Sequence, residues 1–311
     1  MKTFAALLLA ATSLSAEEVT LQTMKGALYG TLLMPANVTA KVPAAVIISG
    51  SGPTDRDGNS AMLHGKNDSL KMLAEALARR GIASLRYDKR GIAASRASAA
   101  SEADLRFETY IEDAIAWGNK LRGDERFSSV AYVGHSEGSL IAIIAAQRLP
   151  AGRLVSISGT ARPAGDLILS QLKTRLSPDQ FVVASKIIGT LTFGRTVTDV
   201  PMEFASLFRP SVQPYLISWF RYDPSAEIRR LKIPILVVQG TTDIQVMPDE
   251  ARRLAAANPN ASLVMVEGMN HVLKDVTSDD AAQLKSYADP ALAIDAKLVD
   301  AIAGFLGAQN R

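Results

Sequence analysis

Apolar and polar residues alternate along residues 19–24 (VTLQTM) and 27–34 (ALYGTLLM), and Lys25-Gly26 interrupts the alternation. A period of two, split by a glycine-containing dipeptide, predicts an antiparallel hairpin. Residues 44–49 (AAVIIS) are apolar without alternation, the pattern of a strand buried on both faces. Leu70, Leu73, Ala74 and Leu77 share one face of a helix over 68–80, and Gly81 stops it. Further strands are expected at 82–87, 130–134, 153–158, 235–239 and 262–267, and further helices at 105–121, 249–257 and 291–306. The order is a hairpin followed by parallel strands with helical crossovers, eight strands in all. It predicts an α/β fold, a doubly wound and mostly parallel sheet whose strand carboxyl ends carry the site.

One connection is too long for a loop. Residues 158–235 show no strand pattern, yet Ile168, Leu172 and Leu176 are spaced four apart, and Phe204, Leu207 and Phe208 continue the apolar pattern. Tyr215, Leu216, Trp219 and Phe220 follow in the same manner. A structureless loop of this length is unusual in a compact domain. Residues 162–229 are therefore expected to form a helical cap over the carboxyl edge, with Trp219 and Phe220 contributing to a substrate pocket.

The most compact pattern is residues 130–146, VAYVGHSEGSLIAIIAA, which reads as strand, sharp turn and helix. The turn Gly134-His135-Ser136-Glu137-Gly138 fits G-x-S-x-G, the nucleophile elbow. The five-residue pattern alone would occur by chance in about one chain of this length in ten. A strand directly before it and a helix directly after it supply the context the chemistry needs. The flanking glycines let the two backbones pass closely, and Ser136 stands at the helix amino end, where the dipole favours negative charge.

A serine alkoxide needs a base, and the base needs an acid to orient it. Only His271 follows Ser136 in the chain, just beyond the last strand, in Gly268-Met269-Asn270-His271. His64 and His135 are poorly placed as bases, and His135 is expected to point to the other side of the turn. For the acid, Asp243 follows the strand ILVVQ directly; Asp249 is the second candidate, better suited to starting a helix. An oxyanion hole is expected from two backbone N–H groups, those of Glu137 and Ser51. Ser51 lies in the loop SGSGPTDRDGN, where Asp55, Arg56 and Asp57 are expected to pair locally. That loop lacks the G-K-[ST] ending and the G-x-G-x-x-G spacing of phosphate-binding loops. Residues 87–91, YDKRG, are read either as a brace for the same edge or as a solvated charged turn.

Composition narrows the chemistry. The 311 residues are 48% hydrophobic, with a net charge of +3 and no run of like charges, so nothing argues for a nucleic-acid partner. Without cysteine there is no disulfide, thiol nucleophile or thiolate metal site, and three histidines without H-E-x-x-H argue against zinc. No cofactor is expected. The start combines Met1-Lys2, an apolar stretch over 4–11 and small residues up to Ala16. This resembles a secretory signal peptide, 1–16, with the mature domain at 17–311. Its apolar core is too short for a stable span, so an exported chain with no membrane anchor after signal removal is expected.

GHSEG, GTTDIQV, GMNH, SGSGPTDRDGN and RYDKRG together resemble the α/β-hydrolase superfamily. More narrowly they are similar to exported bacterial serine esterases related to the serine aminopeptidase-like (hydrolase 4) branch. The resemblance implies Ser136 as nucleophile, His271 as base and Asp243 as acid. Many relatives carry His-Gly where this chain has Ser49-Gly50. Two activities are open: hydrolysis of small carboxylic esters, which is favoured, or of peptides and amides. A non-catalytic binding protein on the same scaffold is a third reading.

Overall fold

The computed structural model describes residues 14–149 and 151–307. Of the expected signal segment, residues 1–13 lie outside the described residues, and Ser15 and Ala16 open the first strand. In chain order, β1 (Ser15–Thr23) and β2 (Gly26–Met34) form the hairpin, and β3 (Val42–Ile48) enters the parallel sheet. Then follow α1 (Ser69–Arg79), β4 (Ala83–Tyr87), α2 (Phe107–Arg122), β5 (Phe127–His135), α3 (Glu137–Arg148) and β6 (Arg153–Ile157). The long connection holds α4 (Ala164–Lys173), α5 (Pro178–Thr192), α6 (Ala205–Phe208), α7 (Gln213–Phe220) and α8 (Pro224–Arg229). The chain closes with β7 (Ile235–Gly240), α9 (Pro248–Ala256), β8 (Ala261–Val266), α10 (Asp280–Ser286) and α11 (Ala296–Gly307).

The strands form one eight-stranded sheet in the order β1-β2-β4-β3-β5-β6-β7-β8. β2 is antiparallel to both neighbours, β1 and β4, and all pairs from β3 and β4 through β8 are parallel. Strand alternation divides the core. Ala44, Val46 and Ile48 face the layer of α2 and α3, whereas Ala45 and Ile47 face α1 and α11. Helix α3 is apolar on all sides because it lies between the sheet and α2, with Leu140, Ile141, Ile143 and Ile144 all buried.

The strands follow the order that the periodicities predict, and the connection between β6 and β7 is helical. The insertion's last helix, α8, packs on α3 and α9 rather than on the rest of the insertion. The carboxyl-terminal helix departs from expectation: α11 starts at Ala296, not at 291, and a separate helix α10 precedes it. Side-chain caps explain both. Asp279 accepts from the Ala282 N–H to start α10, Pro290 separates the helices, and Asp295 accepts from the Lys297 and Leu298 N–H groups.

Candidate active site

Ser136 sits between β5 and α3 at φ 55° and ψ −120°, a strained conformation for a side chain with a Cβ. The elbow can be this tight only because of its glycines. A Cβ on Gly134 would overlap the Gly138 carbonyl, and one on Gly138 would overlap the Ile48 carbonyl of β3. Gly134, His135, Glu137 and Gly138 are buried, whereas Ser136 is partly exposed. As the first residue of α3, Glu137 has an N–H without an intrahelical acceptor, beside the serine.

Asp243 and His271 come together. Nδ1 of His271 lies 2.8 Å from Asp243 Oδ2, with side-chain exposures of 7% and 0%. A carboxylate can only accept, so Nδ1 carries a proton, and in the neutral ring Nε2 is the bare nitrogen. Asp243 Oδ2 also accepts from Gln239 Nε2 at 3.0 Å, and Oδ1 accepts from the Gln245 and Val246 N–H groups. Burial alone would raise the Asp243 pKa. The His271 ring and those backbone donors outweigh it and hold the carboxyl below its ordinary value. Asp249 lies elsewhere: it is in the first turn of α9, exposed and paired with Arg253.

Among the described residues no hydrogen bond joins the Ser136 hydroxyl to His271. Proximity is set through the neighbouring residue. His135 Nε2 lies 2.8 Å from the His271 carbonyl oxygen, and the two rings are 4.8 Å apart between centroids. His135 therefore packs against His271 instead of pointing away, which corrects the expectation for it. A residue next to Ser136 on a strained corner need not follow strand alternation. Burial, with the neighbouring His271 adding to it, lowers the His135 pKa to about 3, so the ring is neutral and Nε2–H donates.

The opposite wall is the loop after β3. Gly50 touches the elbow: a Cβ there would lie 3.2 Å from Ser136 Cβ. Ser51 is exposed, and its N–H has no acceptor among the described residues. Asp55, Arg56 and Asp57 do not pair with one another's charges as expected. Arg56 binds Asp88 and Glu18, Asp57 binds Arg86, and Asp55 accepts from the Asp57 and Asn59 N–H groups. The physical reason is that β4 ends beside this loop, and its buried charges need partners of opposite sign. Asp88, Lys89 and Arg90 are all buried, so residues 87–91 brace the edge rather than form a solvated turn.

Trp219 and Phe220 are buried in the insertion. Trp219 stacks on Phe107 of α2 at 5.9 Å and 14°, and lies 6.0 Å from Tyr215 and 6.4 Å from Phe220. One turn earlier on α7, Tyr215 stands beside Glu137 of the elbow. A cavity of about 420 Å3 lies elsewhere, next to the loop preceding β5, and its lining holds neither serine nor histidine. No group of three or more His, Cys, Asp or Glu residues that could hold a metal ion occurs among the described residues.

Several supporting residues escaped the sequence. Helix α10 ties together the two loops that carry Asp243 and His271: Gln283 donates to the Thr242 carbonyl, Asn270 donates to Gln283 and Ser286, and Gln245 donates to Tyr287 just past the helix. Asn270 Oδ1 also accepts from the Val272 and Lys274 N–H groups, fixing the turn that carries His271. These are single polar residues without spacing, and only the paired loops give them meaning.

The eight-stranded sheet, the elbow after its central strand and the buried acid–histidine pair at its carboxyl edge define an α/β-hydrolase fold. The model of the alpha/beta hydrolase family matches residues 29–284, and the chain belongs to that family. Esterase EstD of Thermotoga maritima is 29% identical over 237 residues, which cover 74% of this chain and 54% of that protein. The chain thus spans about half the length of that curated relative. Est1E from Butyrivibrio proteoclasticus has the same fold, with a TM-score of 0.57, 17% identity, and coverage of 92% of this chain and 99% of that one. Alpha/beta hydrolase GrgF from Penicillium sp. sh18 gives 0.59, 16%, 95% and 100%.

Proposed function

We propose that this protein is a serine hydrolase that cleaves small carboxylic esters through an acyl-enzyme at Ser136. The observation that carries the proposal is the buried His271–Asp243 pair at 2.8 Å, packed against His135, the residue next to a strained, partly exposed elbow serine. His271 Nε2 takes the Ser136 proton as Oγ attacks the ester carbonyl, and Asp243 stabilises the imidazolium that forms. The oxyanion sits on the Glu137 and Ser51 N–H groups. Collapse expels the alcohol, which leaves with the proton from His271. Water then attacks the acyl carbon by the same route, releasing the acid and restoring Ser136. Such serine–histidine contacts are commonly loose without substrate and tighten in the Michaelis complex. The similarity to a protein named as an esterase supports ester over amide cleavage. Export is part of the proposal and rests on the first 16 residues of the sequence.

A panel of p-nitrophenyl esters and aminoacyl amides on the purified protein tests the reading. Ester turnover well above amide turnover, with a fluorophosphonate probe labelling Ser136, is expected. Faster amide turnover moves the function to peptide hydrolysis, and no labelling of Ser136 removes the mechanism.

A further inference from the structure

Lys89 lies two residues past the end of β4, and its side chain is 1% exposed. Its Nζ donates to the Gly50 carbonyl at 2.5 Å and to Glu137 Oε1 at 3.2 Å, and lies 5.2 Å from the centre of the Tyr110 ring. The first contact matters because of peptide geometry. The Gly50 carbonyl and the Ser51 N–H are the two ends of one planar unit and point in opposite directions. A carbonyl held towards Lys89 therefore turns the Ser51 N–H away from it. Gly50 itself lies against Ser136, so that peptide borders the nucleophile. The second contact reaches Glu137, whose own N–H is the other proposed oxyanion donor.

We propose that Lys89 is a positioning residue for the oxyanion hole, its ammonium aligning the Gly50–Ser51 peptide and tying it to Glu137. The proposal rests on the reading of Ser136 as nucleophile given above. A charge-assisted hydrogen bond on the carbonyl also polarises the peptide and makes its N–H a better donor. Glu137 supplies the counter-charge that makes burial of the ammonium tolerable. Tyr215 closes the cluster from the helical insertion: its hydroxyl is buried near the Glu137 carboxylate. The rival explanation is that Lys89 only neutralises Glu137 and has no bearing on the donor N–H.

The test uses two double variants of the full chain, so that no lone charge stays buried: Lys89→Met/Glu137→Gln and Lys89→Gln/Glu137→Gln. Removing an oxyanion donor outright costs about 10²–10³ in kcat, so misaligning one should cost on the order of 10–100-fold in the Met variant, at nearly unchanged KM. The Gln variant keeps a donor for Gly50 and should lose several-fold less. The acyl carbonyl stretch, read by infrared on a slowly deacylating ester, should move to higher frequency in the Met variant. A kcat loss with the wild-type stretch frequency, equal losses in both variants, or failure of both to fold makes Lys89 structural and overturns the proposal. Wild-type protein that neither hydrolyses esters nor labels at Ser136 is a different outcome, and it overturns the function proposed above.

Discussion

The two sides of Ser136 are built on opposite principles. On one side, Asp243 and His271 hang from loops after β7 and β8, and neutral amides secure them: Gln239, Asn270, Gln283 and the backbone N–H groups of Gln245 and Val246. On the other side, Gly50 and Glu137 are joined by a fully buried ion pair through Lys89. In the proposed mechanism His271 gains and loses a proton in every turnover, so its one charged neighbour must be Asp243, and the rest of its support must be neutral. The proposed oxyanion side would exchange no proton, so a fixed ion pair can hold it. The difference teaches that charge is placed where protonation never changes and amides where it must.

The strongest way to break the comparison is to remove the groups that share the proton. Ser136→Ala and His271→Ala should each lower kcat by about 10⁴ or more, with little further loss in the double variant, because such residues act as a unit. Multiplying losses would show that the two act independently. Asp243→Asn should cost on the order of 10³ or more, since the amide favours the wrong histidine tautomer. Asp249→Asn is the control: exposed and paired only with Arg253, it should leave kcat alone and change stability by less than about 1 kcal/mol. Loss of activity there, with Asp243→Asn active, would transfer the acid role.

His135 sharpens the comparison, because it is a titratable group on the amide-supported side that must stay neutral. Its pKa is about 3 when folded and 6.5 as an ordinary histidine. Between those values the unfolded chain binds the extra proton, so stability falls as pH drops from 6.5 towards 3. His135→Gln should remove up to one proton of that dependence, about 1.4 kcal/mol per pH unit. Asp243 contributes little above about pH 5. Its lowered pKa gives stability that is present above the ordinary value of 3.8 and lost as pH falls through the folded value. Urea midpoints between pH 4.5 and 6.5 for both proteins decide the matter. Equal slopes would mean that His135 is charged in the folded state.

The sequence carried the amide-supported side better than the other. Ser136, Asp243 and His271 each follow a legible strand, so chain order alone placed them at one edge, and the structure joins the last two at 2.8 Å. The same reasoning missed Lys89, because RYDKRG reads equally well as a solvated turn until the burial of Asp88, Lys89 and Arg90 is seen. It missed α10 for a different reason. Seven residues carry too little periodicity, and the helix is specified by the Asp279 cap and by Gln283 reaching across to the Thr242 loop. It paired Asp55, Arg56 and Asp57 locally because the true partners of Arg56 and Asp57, namely Glu18, Arg86 and Asp88, lie on or just past strands β1 and β4, which meet this loop only in the folded sheet. Local pattern reports elements and their order; polar contacts between loops need the third dimension.

The smallest expected effect asks whether the oxyanion side extends through the insertion to the acyl group. Trp219 is one turn beyond Tyr215 on α7, and Tyr215 stands beside Glu137. If Trp219 bounds an acyl pocket, a smaller side chain enlarges it, and longer esters gain relative to acetate. Discrimination of about 1–3 kcal/mol per methylene-sized change corresponds to a shift of ten-fold or more in relative kcat/KM. Trp219 also stacks on Phe107 at 5.9 Å, so truncation to Ala would open a cavity costing about 3–5 kcal/mol and blur the result. Trp219→Leu keeps apolar contact with Phe107 and Tyr215 while still freeing space. The expected outcome is a changed chain-length profile with a modest fall in Tm. An unchanged profile with a lower Tm would confine Trp219 to packing between α7 and α2, and the acyl pocket would then have to be bounded by residues other than Trp219.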